Sequence, residues 1–309
     1  MTSGCCNLLV ITGPTASGKT RLGAVLAKKI NGEIISGDSR QVYRDMDIGT
    51  GKDLRDFIVE GEKVPYHLID IRNPGEKYNV FEFQQDFIRV YEDIRARGKM
   101  PVLVGGSGLY IEAVLRGYKL IKVPIDPAFR ATLEDKTMKE LADMLASYKK
   151  LHNITDLDTR KRVIRALEIE HYYASHPEKE PHFPELNPLI FGLRVDRETR
   201  RTNISQRLYR RLKEGMIEEV ETLLNKGVSF DTLIYYGLEY KYIALYLKGE
   251  LFYDEMVRKL ETAIHQFAKR QMTWFRGMEK RGVPILWIDG NLPLEKKLTI
   301  ILEKMEERE

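Results

Sequence analysis

Gly13-Pro14-Thr15-Ala16-Ser17-Gly18-Lys19-Thr20 lies between an apolar run, Leu8–Ile11, and a stretch with helical spacing, Lys19–Ile30. The octet fits G-x-x-x-x-G-K-[ST] in full. A strand before it and a helix after it are the setting in which that pattern makes a phosphate cradle rather than a chance glycine-rich turn. Glycines let the loop wrap until backbone N–H groups converge on phosphate oxygens. The positive end of the helix dipole adds to the attraction. Gly13, Thr15, Ala16, Ser17, Gly18, Lys19 and Thr20 are therefore the expected diphosphate-binding set. Lys19 supplies a mobile charge, and the Thr20 hydroxyl is placed to ligate Mg²⁺.

Outward from this loop, buried-strand patterns recur at Leu8–Ile11, Ile34–Ile35, His67–Ile71 and Val102–Val104. Helical patterns fall between them, at Lys19–Ile30 and Val80–Arg97. Gly98 stands where a C-cap glycine belongs, and Pro101 opens the next strand. The alternation predicts a P-loop NTPase-like α/β fold, a parallel sheet flanked by helices. From about Lys119 to Asn187 strand signals vanish. Helices are expected over Pro127–Lys150 and Asp158–Ala174, with a turn-rich stretch at Ser175–Pro188. These boundaries predict a helical insertion, 119–188, in a core made of 1–118 and 189–309. Strand character returns at Leu189–Val195. A helix from about Arg197 carries Ile204, Leu208 and Leu212 at i, i+4, i+8. Another, Tyr253–Met278, places Met256, Leu260, Ile264 and Phe267 on one face. Pro284–Ile288 reads as a final strand before a charged C-terminal tail.

The bulk numbers agree with a protein that has a real core: 309 residues, 43% hydrophobic and 31% charged. No run approaches the roughly 20 apolar residues of a membrane span, and the chain enters its first strand without a basic leader. Cys5 and Cys6 are adjacent and alone, which gives neither a disulfide framework nor zinc-ligand spacing. A reducing cytoplasm is the expected location, and a monomer without an obligate protein partner the expected state. The net charge of +4 hides an asymmetry: Arg194–Lys213 holds eight basic and two acidic residues, and Arg258–Arg281 seven and two. Two such clusters fit either a polyanionic partner or two solvated helix faces.

Residues just past the other strands narrow the use of the cradle. Asp38 lies beyond the second strand pattern and Ser107 beyond the fourth, at the end of the sheet where ligands bind. An acid there can hold Mg²⁺ through water or serve as a general base. It can also simply cap the Gly37-Asp38-Ser39 turn. Asp70 competes for the acidic role, although Ile71-Arg72-Asn73-Pro74 reads as strand running into a turn. The Val102 strand ends in Gly105-Gly106-Ser107-Gly108 instead of an acid. No guanine-reading Asn-Lys-x-Asp occurs, so a GTPase is not expected. A small-molecule kinase stays open.

Several ordered motifs resemble the tRNA dimethylallyltransferase family: Gly13–Thr20, Ile35-Ser36-Gly37-Asp38-Ser39-Arg40-Gln41-Val42-Tyr43, Met46-Asp47-Ile48-Gly49-Thr50, Val64–Ile71 and Leu103–Tyr110. Arg165-Ala166-Leu167-Glu168 and Ala268–Arg276 match as well, so the resemblance spans nearly the whole chain. It implies a cradle that holds dimethylallyl diphosphate, with Mg²⁺, and an acceptor that is the exocyclic N6 amine of the adenosine 3′-adjacent to the anticodon in tRNA. It implies Asp38 as base, Lys19, Ser107 and Arg207 as the other catalytic residues, and Arg207 as a stabiliser of the leaving group. The acceptor base must then be flipped out of its stack. Asp38, Ser39, Arg40 and Gln41 match the segment that reads the flipped base, and Ser107 matches a further tRNA-binding position. Arg130, Arg162, Arg165, Tyr240, Lys241, Arg270 and Arg276 match tRNA-contacting positions.

The chain departs from the family pattern at several places. Ser107 stands where Thr is usual and keeps the hydroxyl. Asn203 replaces a common second arginine, Glu239 replaces the glycine before Tyr240, and Ile264-His265 replace a Thr-Arg pair. Leu151–Thr159 aligns poorly, and no Cys/His finger follows the core. These departures read as a divergent branch. The alternatives are an adenylate prenyltransferase acting on free nucleotides, a P-loop small-molecule kinase with ATP in the cradle, and a tRNA-binding module with a dead site. The basic helices and the insertion weigh against the first. Intact Gly13, Gly18, Lys19, Thr20 and Asp38 weigh against the last.

Overall fold

The structure is a computed structural model that describes residues 6–148, 157–176 and 182–308. Cys5, the Lys149–Lys150 end of the expected first insertion helix, and parts of the Leu151–Thr159 and Ser175–Pro188 stretches lie outside the described residues.

The chain begins with β1 (Leu8–Thr12), the phosphate loop, α1 (Lys19–Lys29) and β2 (Gly32–Ser36). A 3-10 turn at Leu54–Phe57 leads into a small antiparallel hairpin, β3 (Ile58–Val59) and β4 (Glu62–Lys63), and then β5 (Tyr66–His67). Next come α2 (Val80–Ala96), β6 (Met100–Gly105) and α3 (Gly108–Leu115). Helices α4 (Pro127–Ala131), α5 (Met138–Tyr148) and α6 (Arg160–Ser175) precede β7 (Pro188–Arg194). The rest is mainly helical: α7 (Arg197–Lys213), α8 (Met216–Asn225), α9 (Phe230–Tyr236), α10 (Leu238–Leu247) and α11 (Tyr253–Lys280), then β8 (Leu286–Asp289) and α12 (Leu294–Glu306).

One sheet organises the core, with strand order β5-β2-β6-β1-β7-β8 and every pairing parallel. Parallel strands need crossovers, and helices supply them. Both faces of the sheet are thereby covered, which explains why Leu8, Leu9, Val10 and Ile11 are all fully buried rather than alternating. α2 starts sharply because Asn79 and Glu82 form a reciprocal capping box. Two compact units result: Met1–Tyr118 with Pro184–Glu309, and Lys119–Phe183. The second has its own small core of Leu133, Leu141, Leu145, Val163, Ala166 and Leu167.

Four expectations need correction. The strand foreseen over His67–Ile71 ends at His67, because Leu68 and Asp70 take left-handed φ of 62° and 57°. That turn carries the Asp70 carboxylate onto the fully buried ammonium of Lys52, which also donates to Asp47 and to the Tyr43 carbonyl. Asp70 is therefore spent on a buried lysine and does not face the cradle. The helix foreseen from Pro127 divides in two, since Thr137 and Glu140 cap a new start for α5 at 2.7 and 3.3 Å. The charged tail folds as α12, and its Leu298 and Ile301 join the core beside α1. Along α7 the buried stripe is Ile204, Leu208 and Arg211, while Leu212 is half-buried.

The ends of β2 and β6 meet at two glycines. A Cβ on Gly105 would stand 2.3 Å from the Gly37 carbonyl oxygen and 2.7 Å from its Cα. Gly105→Ala is therefore expected to force the two strand ends apart and cost roughly 1–3 kcal/mol. Thermal or urea unfolding of the purified variant checks this, and an unchanged midpoint refutes it.

Candidate active site

The phosphate loop leaves β1 and wraps through positive φ at Gly13 (154°), Ala16 (59°) and Gly18 (79°), so that α1 begins at its mouth. Gly18 can take this conformation as N-cap without Cβ strain. The buried carboxamide of Gln271, from α11, fixes the loop from above. Its oxygen accepts the Thr15 N–H at 2.8 Å and its nitrogen donates to the Gly106 carbonyl at 2.9 Å. α11 can lie this close because Gly108 leaves room for the Trp274 ring. The Ser17 hydroxyl is buried in the loop with no hydrogen-bond partner among the described residues.

Asp38 follows β2 and Ser107 follows β6, and the two loops are tied together. The Ser107 Oγ accepts the Ser39 N–H at 3.0 Å, and Asp38 itself accepts the Arg40 N–H at 2.9 Å. Gln41 ties the same turn to the Gly51 carbonyl at 3.1 Å. Arg40 donates to the Tyr235 carbonyl at 3.2 Å and lies over its ring. The loop 47–51 completes the wall. Glu219 of α8 holds it by accepting the N–H groups of Asp47, Ile48 and Gly49 at 2.8, 2.7 and 3.0 Å and the Tyr240 hydroxyl at 2.7 Å.

These elements enclose a cavity of about 330 Å³ lined by Thr15, Lys19, Thr20, Asp38, Ser107 and Arg207 among others. Ser39, Arg40, Gln41, Tyr240 and Arg270 line it as well. A second cleft, about 450 Å³, opens on the other side of the loop and shares Lys19, Thr20 and Arg207. Arg207 bonds the Thr15 hydroxyl at 3.2 Å and Asp53 at 2.8 Å. Burial lowers the Lys19 pKa to about 8; Arg207 adds to that, while Asp38 and Asp53 oppose it. Thr20 offers one hydroxyl, and Asp56 adds a hard oxygen in the outer cleft, where Asp53 is engaged by Arg207. That donor set suits Mg²⁺ shared with a phosphate.

The comparisons bear on this geometry directly. A family model described as IPP transferase matches residues 41–278. The chain belongs to the IPP transferase family. A second family model, isopentenyl transferase, matches residues 6–66, which include the phosphate loop. Among curated relatives, tRNA dimethylallyltransferase 2 of Bacteroides fragilis is 58% identical over 97% of this chain and 98% of its own. tRNA dimethylallyltransferase 1 of Parabacteroides distasonis is 60% identical over 94% and 95%. The solved tRNA isopentenylpyrophosphate transferase of Bacillus halodurans is 34% identical with a TM-score of 0.71, covering 98% of this chain and 97% of its own. The likeness to the Bacillus halodurans structure agrees with the α/β fold foreseen from the sequence.

The family member described here brings Asp38, Lys19, Ser107 and Arg207 into one cavity. It does not gather every expected nucleic-acid contact there. Tyr240 has its hydroxyl engaged by Glu219, and Arg270 lines the rim against Phe267. Phe267, expected on the buried face of α11, is 39% exposed and lines the cavity instead. Lys241 packs over Tyr242, and Arg276 is exposed on α11 away from the cavity lining. Within the insertion, Arg130 and Arg165 both bond the buried carboxylate of Glu168. Arg162 pairs with Asp158 at 2.7 Å. Of the departures, Glu239 and Ile264 line the cavity and Asn203 the outer cleft. Sequence reading passed over Gln271 as a clip, although it lies in a matched motif, and over Glu219, Arg211 and Asp53, for which no motif cue exists.

The Lys19 ammonium deprotonates more easily in the fold than at its ordinary value of 10.5. Its charge therefore weighs on the folded state below about pH 8, and that burden lifts as pH rises from about 8 toward 10.5. Relative to Lys19→Met, the wild type is expected to gain stability across this window and to lose affinity for inorganic pyrophosphate. Chemical unfolding and calorimetric titration at several pH values check both signs; a parallel response of the two proteins refutes the assignment.

Proposed function

We propose that this chain transfers the dimethylallyl group of dimethylallyl diphosphate to the N6 amine of the adenosine 3′-adjacent to the anticodon in tRNA. The observation that carries the reading is the single cavity lined both by the phosphate-loop residues Thr15, Lys19 and Thr20 and by the Asp38 carboxylate. An adenine amine is a weak nucleophile, because its lone pair is delocalised into the ring. As N6 forms its bond to C1 of the prenyl group, the C1–O bond breaks and its electron pair leaves with the diphosphate. The N6 proton passes to Asp38. Lys19 and Arg207 stabilise the charge that accumulates on the leaving oxygen, and their prior placement spares reorganisation at that moment. The Thr20 hydroxyl would hold Mg²⁺, which would supply further neutralisation of that charge.

Ser107 fixes the Asp38-Ser39 turn and so orients the base. Arg40 and Gln41 stand beside it as readers of a flipped adenine, while Phe267 and Tyr240 offer flat apolar wall. The cost of extruding the base is a few kcal/mol, within reach of such contacts. The basic stretches of α7 and α11 are the surfaces assigned to the tRNA backbone, with the insertion as a further contact through Arg130, Arg162 and Arg165. The protein acts in this reading as a cytoplasmic monomer. No helix among the described residues is long and apolar enough to cross a membrane.

Asp38→Asn is expected to lower turnover roughly 100- to 10,000-fold, the usual weight of a general base, with tRNA affinity near wild type. Mass spectrometry of nucleosides from tRNA incubated with dimethylallyl diphosphate and Mg²⁺ reads the product. Unchanged turnover removes Asp38 from the role of base. AMP, ADP and ATP run in parallel as acceptors or ligands separate the free-nucleotide transferase and the kinase. Binding of tRNA is also expected to weaken steeply between low and physiological salt, as released counterions require; a flat response in a filter-binding titration excludes the basic helices as the contact.

A further inference from the structure

Arg211 is a buried cation whose protein partners do not account for its charge. It follows Arg207 by one turn of α7, on the face that Asn203 begins one turn earlier without a charge. Its side chain is 7% exposed. Nη2 lies 3.5 Å from the Asp53 carboxylate, which Arg207 already holds at 2.8 Å. Neither Nε nor Nη2 finds a hydrogen-bond partner among the described residues. Burial, reinforced by Arg207, pulls the Arg211 pKa down to about 10 against the opposing pull of Asp53 and Glu239.

Two guanidiniums share one carboxylate, beside Lys19. A buried guanidinium with one shared ion-pair partner and two unbonded N–H nitrogens is costly, and an anionic ligand would complete it. Arg211 lines the same cavity as Thr15, Lys19, Thr20 and Arg207. Gly51 shows how close the two arginines come: a Cβ there would stand 2.2 Å from Arg211 Nη2 and 2.5 Å from Arg207 Nη2. Both guanidinium edges therefore converge over one patch of backbone, in the space a diphosphate group would share with the cradle.

We propose that Arg211 is a second arginine contact to the leaving diphosphate, and that Asp53 holds Arg207 and Arg211 together before the donor arrives. The proposal rests on the prenyl-transfer reading of this cavity. In it, the electron pair released by C1–O cleavage is received by oxygens facing three fixed cations, Lys19, Arg207 and Arg211. Asp53 keeps the two arginines from repelling one another in the meantime.

The test is calorimetric titration of the full chain with inorganic pyrophosphate and Mg²⁺. Arg211→Met, which keeps the side-chain length without the charge, is expected to weaken binding roughly ten- to hundredfold, the span for a lost charged hydrogen bond. Arg211→Lys is expected to weaken it less, because the charge stays but the planar fork is lost. The double variant Asp53→Asn with Arg211→Met is expected to stay weak. Two results overturn the proposal. One is wild-type affinity in Arg211→Met. The other is affinity restored in the double variant, which would mean that Arg211 only neutralises Asp53. Thermal unfolding confirms that each variant is folded, and if Arg211→Met is not, wild-type affinity in Arg211→Lys overturns the proposal instead. Prenyl transfer to tRNA is assayed on the wild type alongside. A wild type that binds pyrophosphate tightly but transfers nothing refutes the transferase reading while leaving the Arg211 comparison intact.

Discussion

The carboxamide of Gln271 joins three parts of the molecule that chain order keeps apart. One end takes the N–H of the phosphate loop and the other gives to the end of β6, while its own backbone belongs to the long α11. A primary amide suits this task because it presents a donor and an acceptor in one rigid plane, and both are satisfied where no water competes. The clip sets the distance between the cradle and Ser107, and Ser107 in turn holds the turn that carries Asp38. The separation between the charge that leaves and the base that receives a proton is thus set by one side chain far along the chain from either strand end. A displacement of an ångström at such a site is costly because the reacting groups must start close to their transition-state geometry.

Electrostatics at the two ends of the cavity are built differently. At the base end, Asp38 is half-buried and accepts a backbone N–H. At the phosphate end, Lys19, Arg207 and Arg211 crowd one another, with Asp53 as the shared counter-charge. Lys19 and Arg211 both have their pKa lowered by burial, which marks them as charges withdrawn from water. Such preorganisation costs folding stability and returns it when an anion binds. The wall between the two ends depends on Glu219, whose carboxylate gathers three successive N–H groups of the 47–51 loop. Gly49 sits so close to the Tyr240 ring that a Cβ would fall 2.6 Å from it, which seals that side.

Much of this was legible in the sequence because the signals were local. The octet Gly13–Thr20 announced its strand, its helix and its chemistry together, and Asp38 and Ser107 could be placed from the strand runs that precede them. The capping box of Asn79 and the buried runs of β1 and β6 obey short-range rules as well. The signals that failed depend on distant partners. Nothing near Asp70 says that a lysine at 52 will be buried beneath it and bend the strand into a left-handed turn. Leu298 and Ile301 look like part of a charged tail until α1 is known to lie beside them. Arg211 reads as one more basic residue on a basic helix, and only the cavity shows that it faces inward. Arg130 and Arg165 present the same surface cue, yet their guanidiniums are engaged by Glu168, whose pKa they hold at about 2 against the upward push of burial. Charge counted along a chain does not separate these cases, because orientation decides which cation remains available.

The position of β1 in the sheet also dictates when the cradle can exist during synthesis. Its neighbours are β6 and β7, and the β7 edge pairs Leu8 with Pro188. On the ribosome, β1 is made before β6 and β7, and its second edge is covered only once the chain has lengthened beyond residue 194. Until then a strand destined for full burial offers unpaired backbone groups to any partner. The clip from Gln271 comes later still. The contact that ties the phosphate loop to α11 therefore joins residues 256 positions apart in the chain, and it becomes available only late in synthesis.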